Sequence, residues 1–192
     1  MSTSGRWKLY TAGMLTAFAL AACGGGGGGG GDAGPAVTPA AVPTSALPQE
    51  PGAPSLVNNI PQDGMNWINY RRAQAGMPVL TRNELLDAAA RGHSEYQRAN
   101  NIVSHEQVPG KPAFTGVRQG DRMLAAGYVY NKSSYAFGEV ISATSSNSGF
   151  YMAEELVTAI YHRFVMFEPK FREIGTGAAT TAAGYTYFTT NM

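Results

Sequence analysis

Eight consecutive glycines, Gly24 to Gly31, divide this 192-residue chain into two unequal parts. Residues 32–61 follow without hydrophobic periodicity and are rich in Ala, Pro, Val and Thr. A segment of that composition buries too little apolar surface to offset the conformational entropy it would lose on folding. A nucleotide-binding glycine loop also needs a strand before it and a helix after it, and neither pattern is present here. The sequence therefore predicts a tether over residues 23–62 and one folded domain over residues 63–192.

The stretch before the glycines has the features of an export signal. Arg6 and Lys8 precede an apolar run, residues 9–22, which is shorter than the ~20 residues of a helix that spans a bilayer. The run leads into the letters LAAC, ending at Cys23, and this pattern resembles the lipobox of bacterial lipoproteins, in which the cysteine is acylated. We predict a lipoprotein signal peptide over residues 1–22. The alternative is an ordinary signal peptide with an incidental cysteine, and both imply export.

An acylated Cys23 predicts an extracytoplasmic protein that is anchored by lipid in the bacterial cell envelope. Gly24 follows the cysteine where some lipoproteins have Asp, and this resembles the pattern for outer-membrane sorting in a host with two membranes. A flexible tether of this length has a mean reach of roughly 35 Å. The expected partners are the membrane, through the anchor, and a small-molecule, cell-wall or protein ligand.

Composition excludes several classes of function. The formal net charge is +1, which gives no electrostatic reason to expect a nucleic-acid partner. The single cysteine excludes an internal disulfide, a cysteine-based zinc knuckle and a CxxC redox pair. Neither a GxSxG nucleophile elbow nor an HExxH zinc motif occurs in the chain.

Helix and strand patterns alternate beyond residue 62. Asp63 is the expected N-cap of the first helix, and residues 81–84 (TRNE) have the capping-box pattern that opens the second. His93 lies on the apolar stripe of that second helix and is expected to be a hydrogen-bonded core residue. The first helix is predicted at 63–75, and two more follow at 121–126 and 152–164. The strands are predicted at 136–142, 174–180 and 185–191. Helices and short strands without a βαβ rhythm favour a mixed α/β sandwich.

Short motifs recur in a fixed order along the predicted domain. They are Asn69, Arg72, Gly76, Leu80, Leu86, Ala89-Ala90, His93, Ser104-His105, Ala126-Gly127-Tyr128, Gly138-Glu139, His162-Arg163, Pro169 and Phe171 to Gly177. This order resembles the CAP superfamily (SCP-like; cysteine-rich secretory, antigen 5, pathogenesis-related 1), in its bacterial branch without disulfides. The resemblance implies an α-β-α sandwich in which helices flank a small mixed sheet.

The resemblance also implies a cleft site. His105 and His162 match the two cleft histidines of the family, and Glu139 matches the first cleft glutamate. Strict spacing would place the second glutamate near Ala159, which cannot serve. Glu155 lies seven residues before His162, so the two would share a face of one continuous helix. The predicted set of His105, Glu139, Glu155 and His162 suits a divalent metal, with zinc the first choice.

Two classes of function stay open at this point. One is a binding module for a small apolar, cell-wall or protein ligand, and a domain that docks a partner beside a vestigial site is a variant of it. The other is a metal-dependent hydrolase, peptidase or esterase-like, that activates water in the His/Glu cleft. Val140 stands where the family usually has Asn after the cleft glutamate, and this departure favours the binding module.

Overall fold

The computed structural model describes residues 50–131 and 133–192. The predicted signal peptide, Cys23 and the predicted tether as far as residue 49 lie outside these residues. Within the described ranges, no helix combines the length and the apolar character needed to cross a membrane.

The predicted mixed α/β architecture is confirmed. The helices are α1 (Ile60–Gln74), α2 (Glu84–Asn100), α3 (Gln119–Ala125), α4 (Gly149–Thr158) and α5 (Ile160–Met166), and the strands are β1 (Thr81–Arg82), β2 (Glu139–Thr144), β3 (Glu173–Thr180) and β4 (Thr186–Asn191). The strands form one sheet in the order β1-β3-β4-β2. β1 pairs with β3 in parallel, whereas β4 pairs antiparallel with both β3 and β2. The predicted hairpin of the last two strands is present, and Gly184 in its turn has a φ of +83°.

Helices cover both faces of the sheet. α2 packs along β3 and β4 on one face, with α3 beside it. α1 and α4 pack on the opposite face, where the larger apolar core contains Trp67, Ile68, Met152 and Phe188. Successive residues of a strand point to opposite faces, so the alternation along β2 determines which layer each of its side chains enters.

The first helix begins earlier than the sequence predicts. Asn59, not Asp63, is the N-cap, because its side chain accepts a hydrogen bond from the backbone amide of Gln62. Asp63 lies in the first turn, where its buried carboxylate accepts from the amides of Val57 and Asn59 at 2.8 and 3.1 Å. The predicted domain start at residue 63 therefore falls inside α1.

The residues before α1 also contact the domain. Glu50 forms an ion pair with Arg71 of α1 at 2.7 Å, and Arg71 forms a second with Glu154 of α4 at 2.8 Å. The guanidinium stacks over the ring of Trp67, 4.9 Å from its centroid. The end of the segment predicted as tether is thus attached to the layer formed by α1 and α4.

The N-cap of α2 is also displaced from its predicted position. Asn83 caps the helix by accepting from the amides of Leu85 and Leu86. Thr81, predicted as the first residue of a capping box, instead belongs to β1 and pairs with Glu173. The local pattern was right about a helix start, but the strand pairing of Thr81 moved the start along the chain.

The helix predicted over residues 152–164 is interrupted. Ala159 has extended backbone angles, with ψ of 115°, and separates α4 from α5. The hydroxyl of Thr158 bonds to the carbonyl of Glu155, a local side-chain bond that competes with regular helix hydrogen bonding. Because the helix is not continuous, the argument that Glu155 and His162 share one helical face no longer holds.

Candidate functional site

The candidate site is built on Glu139, the first residue of β2. Glu139 is paired with Asn191 of β4, and Asn191 is paired in turn with Gly175 of β3. The Glu139 side chain points to the face covered by α2 and α3 and is only 3% exposed. A carboxylate in such a place is expected to have charged or hydrogen-bonding partners, because an uncompensated buried charge is very costly.

Three side chains supply those partners. His105 Nδ1 donates to Glu139 Oε1 at 2.9 Å, and an Nη2 hydrogen of Arg122 is donated to Oε2 at 2.6 Å. In the amide orientation that satisfies its neighbours, Asn191 Nδ2 donates to Oε2 at 3.2 Å. Both oxygens of Glu139 are therefore engaged, and its negative charge is compensated inside the protein.

His105 itself is open to solvent. Its side chain is 59% exposed although Nδ1 is held by Glu139, so Nε2 is the ring nitrogen left for a ligand. The backbone around it is fixed as well, because the buried guanidinium of Arg122 donates to the carbonyls of His105 and Val117 at 3.0 and 3.1 Å. The result is an exposed imidazole in a fixed orientation.

The pairing shifts the pKa values of His105 and Glu139 in opposite directions. The hydrogen bond to Glu139 raises the pKa of His105, and this effect outweighs partial burial. Burial alone would raise the pKa of Glu139, but the hydrogen bond from His105 and the neighbouring positive charges lower it overall. The pair therefore favours a charged carboxylate and an imidazole that is more basic than usual.

His93 is confirmed as a core residue. It is fully buried, its Nε2 donates to the carbonyl of Ser104 at 2.7 Å, and its Nδ1 accepts from Gln107 at 2.9 Å. Burial is the main reason that its pKa falls to about 4. A neutral His93 with both nitrogens bonded holds the loop before His105 and has no nitrogen left for a ligand.

The other two predicted site residues differ in their relation to this centre. His162 lies on α5, where burial lowers its pKa and the charge on His105 lowers it further. His162 Nδ1 is buried without a hydrogen-bond partner in the described part of the chain. Glu155 is on α4, which packs with α1 on the face of the sheet opposite α2, and burial raises its pKa. The Glu139 side chain points to the α2 face, so the structure does not bring Glu155 to Glu139.

The carboxylates do not fit a metal ion. Both oxygens of Glu139 are bonded to protein donors, and Glu155 is on the other side of the sheet. In residues 50–131 and 133–192, no group of three or more His, Cys, Asp or Glu side chains is arranged to hold an ion. Two imidazoles alone would leave two of the four tetrahedral zinc positions to water, which is a weak site.

Zinc binding stays a prediction, and titration of the purified chain tests it. We expect one weak site that is lost in His105→Ala and also in His162→Ala, because the two histidines would be its only protein ligands and neither alone would hold the ion. Isothermal calorimetry measures the binding. Full zinc binding by both variants would contradict a site at these histidines.

A depression of about 250 Å³ opens beside His105. Its other lining residues are Glu106, Arg118, Gln119, Phe137 and Glu139. Arg118 and Glu106 are 80% and 67% exposed and lie 3.8 Å apart, so they interact only weakly. The lining thus combines polar groups with one aromatic ring and the apolar stems of the polar side chains.

Sequence reasoning missed Arg122 and Asn191, which compensate Glu139. Arg122 is in a short helix with no motif, and its burial follows only from its contacts with Glu139 of β2 and with the loop after His105. Asn191 was predicted as the end of a strand, and the pairing with Glu139 was the missing information. The only signal in the sequence was an arginine beside apolar residues in a predicted short helix, and that signal is weak.

Comparison with known proteins agrees with the fold. An extracellular protein containing an SCP domain from Bacillus anthracis is 23% identical, with a TM-score of 0.58, and the match covers 70% of this chain. This chain spans only 40% of the length of that protein. An outer surface protein of Borrelia burgdorferi is 13% identical with a TM-score of 0.54, and the match covers 66% of this chain and 86% of the other. No curated protein sequence matches this chain significantly.

A sequence model of the cysteine-rich secretory protein family matches residues 65–192, which include every element from β1 onward and most of α1. The matched range contains His105, Glu139 and His162, and the sandwich of helices on both faces of a small sheet is the architecture expected from the motifs. The chain therefore belongs to the cysteine-rich secretory protein (CAP) family.

Proposed function

We propose that this protein is an extracytoplasmic binding module that is held at the bacterial envelope by an acyl chain on Cys23. Its CAP domain recognises the peptide part of a cell-wall or protein ligand at the depression beside His105. One observation carries the proposal: His105 is exposed, yet the buried Glu139 fixes its orientation. A side chain oriented in this way presents Nε2 to a ligand with little further loss of conformational freedom.

The lining of the depression suits a ligand that has both polar and apolar groups. Arg118 and Gln119 provide donors, Glu106 provides an acceptor, and the ring of Phe137 offers an apolar contact. An apolar molecule would cover polar groups without bonding to them, which costs free energy. A peptide offers carboxylate and amide groups next to aliphatic side chains and so matches this combination.

Localisation at the envelope is supported by the N-terminal sequence. The basic residues, the apolar run and the LAAC pattern at Cys23 are together typical of an exported lipoprotein. The two structural neighbours are described as an extracellular protein and an outer surface protein. Anchoring in the outer membrane is part of the proposal for a host with two membranes.

The anchor has a direct test. We expect radiolabelled palmitate to be incorporated into the wild-type chain and lost in Cys23→Ala, because that thiol is the only one in the sequence. Label is measured on the immunoprecipitated protein, with Ser4→Ala in the same N-terminal region as a matched control. Label that persists in Cys23→Ala would overturn the lipoprotein assignment.

Ligand binding is tested with a synthetic cell-wall stem peptide that carries no sugar. We expect it to bind the full chain, purified in detergent, and to shift the NMR signal of the His105 ring. Affinity should fall by about tenfold in His105→Ala, the effect of losing one charge-assisted hydrogen bond. Tyr161→Ala, an exposed change on α5, is the control. Equal affinity of the two variants would contradict recognition at His105.

A hydrolase is the second candidate, and the pairing of His105 with Glu139 is the observation in its favour. Glu139 orients His105 and increases the basicity of its ring, which is what a general base requires. No protein nucleophile lies in the depression, so the base would act on water. Hydrolysis of an ester, amide or peptidoglycan substrate that Glu139→Gln abolishes would favour the enzyme over the binding module.

A further inference from the structure

A second open depression, of about 290 Å³, lies beside the one at His105. Its lining comes mainly from residues within 128–131 and 134–137 and from residues 170–173, which lead into β3. Among the lining residues of the two depressions, only Phe137 is common to both. The proposed recognition by His105 leaves this second depression without a role.

Three aromatic rings form a platform at its edge. The rings of Tyr135 and Phe137 are stacked, with centroids 5.0 Å apart and an angle of 13° between their planes. Tyr130 packs against both, at 5.1 and 5.6 Å. Rings this close leave no space for a ligand between them, so a ligand can contact only their outer surface. Tyr135 offers most of that surface, because it is 55% exposed.

The opposite wall combines an oriented acceptor with free donors. Glu173 accepts from Asn83 Nδ2 at 2.7 Å and from the hydroxyl of Tyr128 at 2.6 Å. A carboxylate has about four lone-pair positions, so two of them remain for a ligand. Tyr128 is equally fixed, and burial together with the bond to Glu173 raises its pKa to about 12.

Two cations stand at the rim. Lys170 and Arg172 both line the depression, and both are exposed. Arg172 Nη1 donates to the carbonyls of Pro169 and Phe171, which directs the guanidinium while its other N–H groups stay available. In the described residues, no hydrogen bond engages the ammonium of Lys170. The depression therefore offers several donors, one oriented acceptor and an aromatic face.

We propose that this depression binds a saccharide that carries a carboxylate. A sugar ring has a face of C–H groups that can lie on Tyr135, hydroxyls that can donate to Glu173, and a carboxylate that can pair with Lys170 and Arg172. An apolar ligand would not use the polar wall. The two basic side chains outnumber the one carboxylate, Glu173, so an anion is favoured over a cation. The volume is at the small end of the ~300–1,000 Å³ range of small-molecule pockets, as a short saccharide requires.

Two sources could supply this chemistry, and the probes distinguish them. One is peptidoglycan, represented by the N-acetylglucosamine–N-acetylmuramic acid disaccharide, and the other is a uronic-acid polysaccharide, represented by digalacturonic acid. The neutral N-acetylglucosamine disaccharide is the reference. Binding is measured by calorimetry on the full chain in detergent. We expect at least one of the acidic disaccharides to bind about fivefold more tightly than the neutral one, the size of an exposed ion pair.

Three variants test whether the saccharide binds in this depression. Tyr135→Ala should weaken binding by about tenfold, the loss expected for one stacking ring. Lys170→Gln should remove the preference for the acidic disaccharide. Tyr161→Ala is the matched control, since this tyrosine is 83% exposed on α5 and lies outside the depression. Tyr135 is exposed, so its replacement should leave the melting temperature unchanged.

The same variants distinguish failure of the saccharide proposal from failure of the proposed peptide recognition at His105, on which it does not depend. His105→Ala should retain saccharide binding, and Tyr135→Ala should retain binding of the sugar-free peptide. Saccharide binding that is equal in Tyr135→Ala and Tyr161→Ala would overturn the proposal, and so would its loss in His105→Ala. Absence of binding by both acidic disaccharides at millimolar concentration would also overturn it, while leaving the peptide site at His105 untouched.

Discussion

Gly177→Ala should lower the free energy of unfolding by about 3 kcal/mol or more, at the upper end of the usual cost of overpacking. Gly177 is on β3 directly beneath α2, and an added Cβ would lie 2.1 Å from the backbone nitrogen of Arg91 and 2.5 Å from the carbonyl carbon of Ala90. Backbone cannot move aside as a side chain can. The helix itself must shift, which disturbs the hydrogen bonds of Ser94 to Gly177 and Thr189.

Gly92→Ala is the matched control on the same helix. The nearest atoms to its added Cβ all belong to the side chain of Thr115, with the methyl group at 3.3 Å, and Ala is the better residue inside a helix. We expect a change of at most about 1 kcal/mol in the free energy of unfolding. Urea unfolding followed by circular dichroism measures both variants. If Gly177→Ala unfolds at the same urea concentration as Gly92→Ala, the close approach of α2 to β3 is wrong.

Arg122→Met should have an effect of similar size, about 3–5 kcal/mol at pH 7, because it removes the cation from a buried pair. Arg122 is 1% exposed and contacts Glu139 at 2.6 Å, so its loss leaves a buried carboxylate without that compensation. It also removes the donor to the carbonyls of His105 and Val117. The loop that carries His105 should then become mobile, so the stem peptide should bind more weakly as well.

The pH dependence identifies the cause. In the wild type the pKa of Glu139 is lowered, so its contribution to stability is present above the ordinary carboxyl pKa and is lost as the pH falls through the folded-state value. Loss of Arg122 leaves burial less opposed, so the pKa of Glu139 should rise above its wild-type value, and the variant should therefore lose less stability at pH 5 than at pH 7. Arg122→Met combined with Glu139→Gln should recover part of the loss. If the loss of unfolding free energy were independent of pH and were not recovered in the double variant, the uncompensated charge of Glu139 would not be its cause.

Much of the fold could be predicted because its signals are local. The last two strands are separated by a turn residue, Gly184, that tolerates the left-handed conformation. The apolar stripe of α2 placed His93 in the core correctly, since a period of 3.6 residues defines one helical face. The order of short motifs then indicated the sandwich architecture, which the family match confirms.

The site was less predictable because it depends on contacts between distant segments. Glu139 and His105 could be proposed from motifs, but the partners Arg122 and Asn191 follow only from the packing of α3 and the pairing of β2 with β4. Glu155 was included on the assumption of a continuous helix. Neither proline nor glycine marks the break at Ala159, so no local signal could have revealed it.

The arrangement explains how a small domain keeps a polar group ready at its surface. The sheet provides Glu139, the buried guanidinium of Arg122 compensates it, and the loop carries His105 to the one position where the carboxylate can hold it. Glu139 is thus a positioning residue for His105. The imidazole and the polar groups around it are the parts that would contact a ligand. The binding function and the alternative hydrolase therefore both depend on His105 and Glu139.

Titration of the His105 ring by NMR tests this pairing most directly. With Glu139 ionised beside it, His105 should titrate above the ordinary histidine pKa of ~6.5, and in Glu139→Gln its pKa should fall back toward that value. His93 serves as an internal reference, because burial holds its pKa near 4 and its ring should not titrate in the same range. Identical His105 titration curves in the wild type and in Glu139→Gln would show that the carboxylate does not hold the imidazole, and the account of the site would fail.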